Sequence, residues 1–568
     1  MANFFKDNAD IQWHFNHLEL DEIVRAKEDD FSQAETYEDA PTSVEDAREG
    51  YRAVLEMVGE IAANEIAPLA AEVDQEGARF ENGKVTYAPG TQRALRILSQ
   101  AGLMGFTLPR RYGGLNMPGV TYTIATELIS QADASLMTLF GLQDIAETIN
   151  QYADEAIKEK YLPRFASGEV TGAMVLTEPD AGSDLQSVRL KAVPQKDGTW
   201  RLYGVKRFIT NGCAEVSLVL ARSEPNTTDA RGLSMFLVER CPELIVRRIE
   251  DKLGLHGSPT CELQFNGVPA LLIGRRRFGL IRYVMSLMNG ARIAIAAQAV
   301  GIAQAAYEEA VKYARARIQF KQPIVEFPQV YDLLTRMKVG VQAARAITYE
   351  ASRLVDLRDA YEKRISTGNK TSELQSAFKE LNALTGVLTP IAKAYASELA
   401  VSVAYDALQV HGGPGYMKDF PIERIYRDAR ITTIYEGTTQ LQVVGALGGI
   451  LSGVLGKYLH KLGSRKVPEE VSELAALCGE ARRHLYRSVE FLHSLDDKTY
   501  TDYVSRKLVD MASECLACHL LMRQAAVDLD RLPVATKFAR DALPRIQMAA
   551  DCITSGDRFT IENREVLL

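Results

Sequence analysis

Apolar side chains recur at three- and four-residue steps through the first part of the chain, which predicts helices. Val54, Leu55, Val58, Ile61 and Ala62 share one face of a helix beginning near Ser43, and a Glu-Ile-Ala-Pro-Leu run ends it near Pro68. Further helices are predicted at about 92–101, 121–132 and 155–165, with an extended loop after Ala101. Ahead of them the first 45 residues are polar and acidic, with Glu28, Asp29 and Asp30 in a run, and read as an extended arm or a lead-in. After Gly168 the texture changes. β-prone runs stand at 171–177, 188–193, 200–209, 216–221, 233–238, 244–249 and 262–265, separated by turn residues such as Lys196-Asp-Gly, Asn211-Gly and Asn266-Gly. Strands at this spacing predict a small β-domain, either a barrel or two packed sheets.

From about Gly279 the helical period returns. The alanine-rich stretch 288–320, with Glu308 and Lys312 at i,i+4, and the stretches 328–355 and 373–409 predict long antiparallel helices packed as a bundle. A linker, Gly463-Ser-Arg-Lys-Val-Pro, leads to further helical pattern from Pro468 to Glu565. The expected fold is α+β, mainly α. It runs as an arm (1–45), an N-terminal helical domain (46–168), a small β-domain (169–278), a four-helix bundle (279–448) and an additional α-helical domain (449–568).

Composition narrows the classes of function. Of 568 residues, 46% are hydrophobic and 25% charged, so the chain has the material for several cores and is not a disordered type. The net charge of -8 is spread among interleaved acids and bases, which gives no support to nucleic-acid binding. The N-terminus lacks the basic and apolar regions of a secretory signal, and the C-terminal Glu-Val-Leu-Leu is no peroxisomal or prenylation signal; a cytoplasmic protein is expected. The apolar, glycine-rich segment 443–455 is too short to span a bilayer, and for 443–459 core packing is preferred over weak membrane association.

Seven scattered cysteines read as reduced thiols. Cys515-Leu-Ala-Cys518-His519 spells the haem-attachment string, yet Leu508, Met511, Cys515, Cys518 and Met522 form one apolar helical stripe, so these are expected to be core thiols. The eight histidines form no HxxxH cluster, and no metal site is expected.

Two regions concentrate glycine, hydroxyl and acidic residues. Leu176-Thr-Glu-Pro-Asp-Ala-Gly-Ser-Asp184 follows the first strand of the β-domain. It is either an ordinary polar turn or a place where backbone approaches an anionic ligand. Gln409-Val-His-Gly-Gly-Pro-Gly-Tyr416 precedes Tyr426-Arg-Asp-Ala-Arg430 and Ile434-Tyr-Glu-Gly-Thr-Thr-Gln440. Gly412 and Gly413 alone are equally a helix stop and a close-approach site.

Taken in order, these strings and an Arg-x-x-Phe pair on a later helix resemble the acyl-CoA dehydrogenase family over about residues 45–445. The lead-in arm and all-α tail are similar to the larger bacterial branch. The resemblance implies FAD in a cleft among the N-terminal, β and bundle domains. Leu176 and Thr177 would meet the flavin ring, Ser183 the pyrophosphate and CoA arm, and Phe208 and Thr210 would cover the isoalloxazine. Many relatives carry Trp at the position of Phe208. Arg317 and Phe320 would reach the ADP half of a FAD held by a neighbouring subunit, continued by Gln329, Gln409 and Gly413. Thr438 and Gln440 would hold the adenine end. Glu436 would be the base that removes the α-proton of an acyl thioester as a hydride leaves the β-carbon. Some relatives place the base on the helix carrying Met288-Asn-Gly-Ala-Arg292, where Asn289, Gly290 and Ala291 cannot serve. Asn289 and Arg292 would line the CoA and acyl channel, with Tyr435 and Gly437 beside the substrate; many relatives have Asp in place of Asn289.

The implied reaction is α,β-desaturation of an acyl-CoA to the trans-2-enoyl-CoA, as in β-oxidation, with electrons passing to electron-transferring flavoprotein. The alternatives are an oxidase that uses oxygen and a non-catalytic assembly or scaffold protein on the same fold. Residues 131–147 are expected to line the far end of the acyl site. They contain no arginine to hold a dicarboxylic acyl group. A homodimer is favoured over a tetramer, the extra helical domain replacing the second dimer contact.

Overall fold

The computed structural model describes every residue from 1 to 568 except Asn369. Helices α1 (Ala9–His17) and α2 (Asp21–Lys27) come first, then α3 (Val44–Ile61), α4 (Ala70–Glu76), α5 (Pro89–Gln100), α6 (Gly119–Ala132), α7 (Ala134–Gly141), α8 (Ile145–Tyr152) and α9 (Glu155–Ala166). The α-helix predicted to run to Pro68 stops at Ile61 and continues as a π turn, Ala62–Ile66.

The expected extended arm is a correction. Residues 1–28 coil into two short helices, and Phe5, Ile11, Phe15, Ile23 and Val24 are all buried. Glu28, the first residue of the acidic run, is buried and ion-paired with Arg110 at 2.5 Å. Asn116 also donates to it. Only Asp29 and Asp30 of that run face solvent.

A hairpin, β1 (Arg79–Glu81) with β2 (Lys84–Thr86), interrupts the helical part. Seven strands then form one sheet: β3 (Gly172–Val175), β4 (Lys191–Pro194), β5 (Trp200–Thr210), β6 (Val216–Arg222), β7 (Leu233–Glu239), β8 (Leu244–Ile249) and β9 (Thr260–Ile273). The order is β3-β6-β4-β5-β9-β7, with β8 on β9, and β6 also pairs with β7, so the sheet closes on itself. The expected turn at Asn266-Gly267 is instead inside β9. Gly267 takes φ +79° at a register shift opposite Leu202 and Tyr203, where a strand glycine marks a bulge.

Helix α10 (Met285–Ala316) follows. A second hairpin, β10 (Ile318–Gln319) with β11 (Gln322–Pro323), leads to α11 (Pro328–Ser366) and α12 (Ser372–His411). Then come α13 (Ile422–Ala429), α14 (Thr439–Leu451), α15 (Val454–Gly463), α16 (Ser472–Leu495), α17 (Lys498–Val527) and α18 (Leu532–Thr554). No single helix among the described residues is long and apolar enough to cross a membrane; α14 and α15 together reach that length but meet at a bend of 70°.

The chain forms two compact units. The first holds Met1–Asn16, Leu20–Ala294 and Lys418–Ile431. Its core runs from Tyr161, Leu162 and Phe165 of α9 into Leu218, Leu220, Phe236 and Leu263 of the sheet. The second holds His17–Glu19, Ile295–Met417 and Thr432–Leu568. In it α11 and α12 pack along each other, with Arg345 of α11 donating to Gln304 of α10 at 2.8 Å in the buried interior. Helices α16, α17 and α18 form a bundle. Tyr500 donates to the Ile553 carbonyl at 2.8 Å, and Cys515, Cys518 and His519 lie buried on α17.

Candidate active site

In the first unit the flavin-side expectations converge on a clamp between two segments 30 residues apart. Alternation along β5 turns Trp200, Leu202 and Lys206 inward. A lysine at a core position must find partners. Lys206 donates to the Leu176 carbonyl at 2.5 Å and lies 3.1 Å from Glu178. Burial pulls its ammonium down to about 8, against the pull of Glu178. Glu178 also accepts the Arg189 and Leu190 N–H groups, and the Arg207 N–H donates to the Thr177 carbonyl. Leu176 and Glu178 are thus fixed on both sides of Thr177.

The register of β5 on β9 shifts between Lys206 and Ile209. At that bulge Phe208 adopts φ +62°, a conformation costing roughly 1–2 kcal/mol for a residue with a side chain. The bulge aims its ring outward, 51% exposed and stacked under the Arg207 guanidinium. Thr210 ends the strand partly buried, and Ser183 is exposed beyond the Glu178–Ala181 turn. At the start of α10, Arg292 donates to Asn289 at 3.2 Å. The Tyr426–Arg430 string is a structural tie here. Asp428 accepts the Leu255 N–H at 2.6 Å, and Arg427 pairs with Asp74 and Glu423.

In the second unit Glu436 and Gly437 form a left-handed pair at φ +54° and +89°. Three hydrogen bonds from two side chains hold that turn. Gln442 donates to the carbonyls of both residues, at 3.1 and 3.0 Å, and the buried Lys393 donates to the Gly437 carbonyl at 2.8 Å. Thr438 then caps α14 through Leu441 N–H. Before the turn, the Tyr435 hydroxyl bonds Gln298; after it, Thr439 bonds Glu398 at 2.7 Å. Glu436 is half-buried and Gln440 exposed. A Cβ on Gly437 would stand 2.7 Å from Gln442 Nε2, so this position requires glycine for space as well as for φ.

At one end of the second unit, Tyr313 of α10 stacks on His411 of α12 at 4.4 Å, which brings Arg317, Gln409 and Gly413 to the same end. The β10–β11 turn places Phe320 and Lys321 at φ +48° and +71°, with the Phe320 ring 89% exposed. Gln329 lies exposed in the first turn of α11.

Four family models match successive segments: the N-terminal domain of acyl-CoA dehydrogenase over residues 48–169, its middle domain over 173–268, its C-terminal domain over 281–444 and a further C-terminal domain of the same enzymes over 452–554. An acyl-CoA dehydrogenase of Bacillus subtilis is 38% identical over 68% of this chain and 94% of its own length. The chain belongs to the acyl-CoA dehydrogenase family. A 3-methylmercaptopropionyl-CoA dehydrogenase of Ruegeria pomeroyi is 34% identical, covering 76% of this chain and 74% of its own. A crystal structure of an acyl-CoA dehydrogenase complexed with FAD from Bacillus anthracis shares the fold at a TM-score of 0.75, covering 89% of this chain and 88% of the other at 24% identity.

This acyl-CoA dehydrogenase is accordingly an oxidoreductase acting on a CH–CH bond of an acyl-CoA, with FAD as its cofactor. The residues fit that group. An outward aromatic ring is held in a strained bulge beside a clamped threonine, and Phe320 carries the same combination of strain and exposure in the second unit. Sequence reasoning missed Lys206, Glu178, Lys393 and Gln442. For Lys206 a signal existed, since it falls in the inward phase of an alternating strand.

Proposed function

We propose that the protein desaturates an acyl-CoA thioester between Cα and Cβ, giving the trans-2-enoyl-CoA, with Glu436 as the base. The observation that carries this reading is the Glu436–Gly437 turn. A non-glycine residue is kept in left-handed backbone by three hydrogen bonds to its own and the next carbonyl. Such strain persists only where surrounding structure enforces it, and it fixes where a side chain points. The α-proton of a thioester is weakly acidic, so its removal needs a carboxylate held in place. Glu436 takes that proton and holds it on a carboxylate oxygen. Lys393 and Gln442 position it through the backbone. FAD held by the residues named below would supply the acceptor for the hydride that leaves Cβ.

The Lys206–Glu178 clamp would hold Thr177 against the flavin ring, with Leu176 lining it and Phe208 and Thr210 covering one face. Ser183 would meet the pyrophosphate and CoA arm, and Asn289, Arg292, Tyr435 and Gly437 the thioester and its channel. A neighbouring subunit would supply Arg317, Phe320, Gln329, Gln409 and Gly413, and Thr438 and Gln440 would hold the adenine end. Exposed Phe320, Tyr331, Tyr405 and Tyr416 support a homo-oligomer, which we take to be a dimer. Electron-transferring flavoprotein is the proposed acceptor.

Anaerobic titration with a panel of acyl-CoAs tests the reading. Flavin absorbance should bleach with wild type and not with Glu436→Gln. Equal bleaching by the variant would remove Glu436 as the base.

A further inference from the structure

Two aspartates lie in the stretch expected to line the acyl site, and the structure separates them. Asp133 is consumed as the cap of α7, accepting from the Ser135 N–H at 2.7 Å, the Leu136 N–H and the Ser135 hydroxyl. Asp144, just before α8, caps nothing. Neither of its oxygens has a hydrogen-bond or ion-pair partner among the described residues. Its carboxylate faces the first turns of α10. A Cβ built on Gly290 would stand 3.2 Å from Asp144 Oδ2, so the glycine leaves the space in front of the carboxyl open. Gly290 lies between Asn289 and Arg292, and Arg292 is turned to Asn289.

The charged and titratable groups around it do not satisfy it. Glu147, on α8, repels it, and Lys27, at the end of α2, attracts it weakly. Tyr122, on α6, gives its hydroxyl proton to the Phe140 carbonyl at 3.0 Å. Burial and Glu147 together push the Asp144 carboxyl up to about 7. A half-buried carboxyl raised in this way destabilises the fold as pH climbs from its ordinary range through about 7.

We propose that Asp144 is a specificity-determining residue that selects acyl groups carrying a hydrogen-bond donor, such as a hydroxyl, on the chain beyond the β-carbon. This rests on the desaturation reading, which puts Asn289 and Arg292 along the acyl channel. Asp144 accepts from the donor, and Glu147 adds negative potential that disfavours a terminal carboxylate. A plain alkyl chain leaves the carboxyl unsatisfied.

The test compares butyryl- with 4-hydroxybutyryl-CoA and hexanoyl- with 6-hydroxyhexanoyl-CoA. Binding is measured calorimetrically on flavin-loaded Glu436→Gln protein, and rates as anaerobic flavin reduction in proteins that retain Glu436. One charge-assisted hydrogen bond predicts a preference of about tenfold for the better-placed hydroxy thioester. That preference should rise with pH through about 7, as the carboxyl becomes a full acceptor. Asp144→Leu should abolish the preference and raise the melting temperature most at about pH 8, where the native carboxylate is charged. Asp144→Asn keeps the shape, so it should fold, retain part of the preference and lose its pH dependence. A hydroxy-to-plain ratio unchanged by Asp144→Leu, or absent in wild type, overturns the inference while leaving desaturation intact. If no thioester bleaches the flavin, the desaturation reading and this inference fall together.

Discussion

Gly437→Ala is the sharpest probe of the role proposed for the Glu436–Gly437 turn. The backbone there has φ +89°, which a Cβ disfavours by roughly 1–2 kcal/mol. The added methyl would stand 2.7 Å from Gln442 Nε2, the mobile end of a side chain, so Gln442 yields and the backbone does not. Yielding sacrifices its bonds to the Glu436 and Gly437 carbonyls, each worth about 0.5–1.5 kcal/mol. Lys393 still holds the Gly437 carbonyl, so the turn shifts without unfolding. A base displaced by about an ångström loses on the order of a hundredfold in rate. The expected result is a fall of about a hundredfold in the rate of flavin reduction, with FAD content unchanged. Gly448→Ala serves as control, because nothing lies within 4 Å of that position. Anaerobic stopped-flow absorbance measures the rate, and flavin-to-protein ratio and melting temperature check the fold. A Gly437→Ala enzyme within about threefold of wild type would refute the argument that this turn aims Glu436.

Other outcomes follow from the same contacts. Lys206→Met leaves the Glu178 carboxylate buried without its cation and should cost about 3–5 kcal/mol together with FAD affinity; the Lys206→Met/Glu178→Gln double variant should recover part of the melting temperature. Phe320→Gly relieves left-handed backbone at an exposed site, so the fold should be no less stable, while flavin content and the oligomer seen by light scattering should fall. Burial raises Asp428 from 3.8 to about 6. The native state therefore keeps a proton that the unfolded chain has lost, and stability falls as pH rises from about 4 to about 6, by about 3 kcal/mol in all. Asp428→Asn removes that penalty, and its melting temperature relative to wild type should be higher at about pH 8 than at about pH 4.

Much of this was legible in the residues alone. The 3.6-residue period marked the helices, β-prone runs between turn residues marked seven strands, and ordered strings around Thr177 and Glu436 carried the family. These signals are local, since each depends on neighbours within a turn or a strand. Other features depended on distance. Lys206 meets Leu176 across 30 positions, and Lys393 meets Gly437 across 44. Gly267 read as a turn because a strand bulge and a hairpin both need a positive φ. Polar residues before position 45 read as an arm, since sparse apolar residues at 5, 11, 15, 23 and 24 gain a helical face only when α3 is there to cover it. Asp133 and Asp144 are the same residue type in one stretch. Whether such a carboxyl is spent on a helix cap or left open in front of a glycine is decided by what the fold places within hydrogen-bond reach, and no local pattern encodes that.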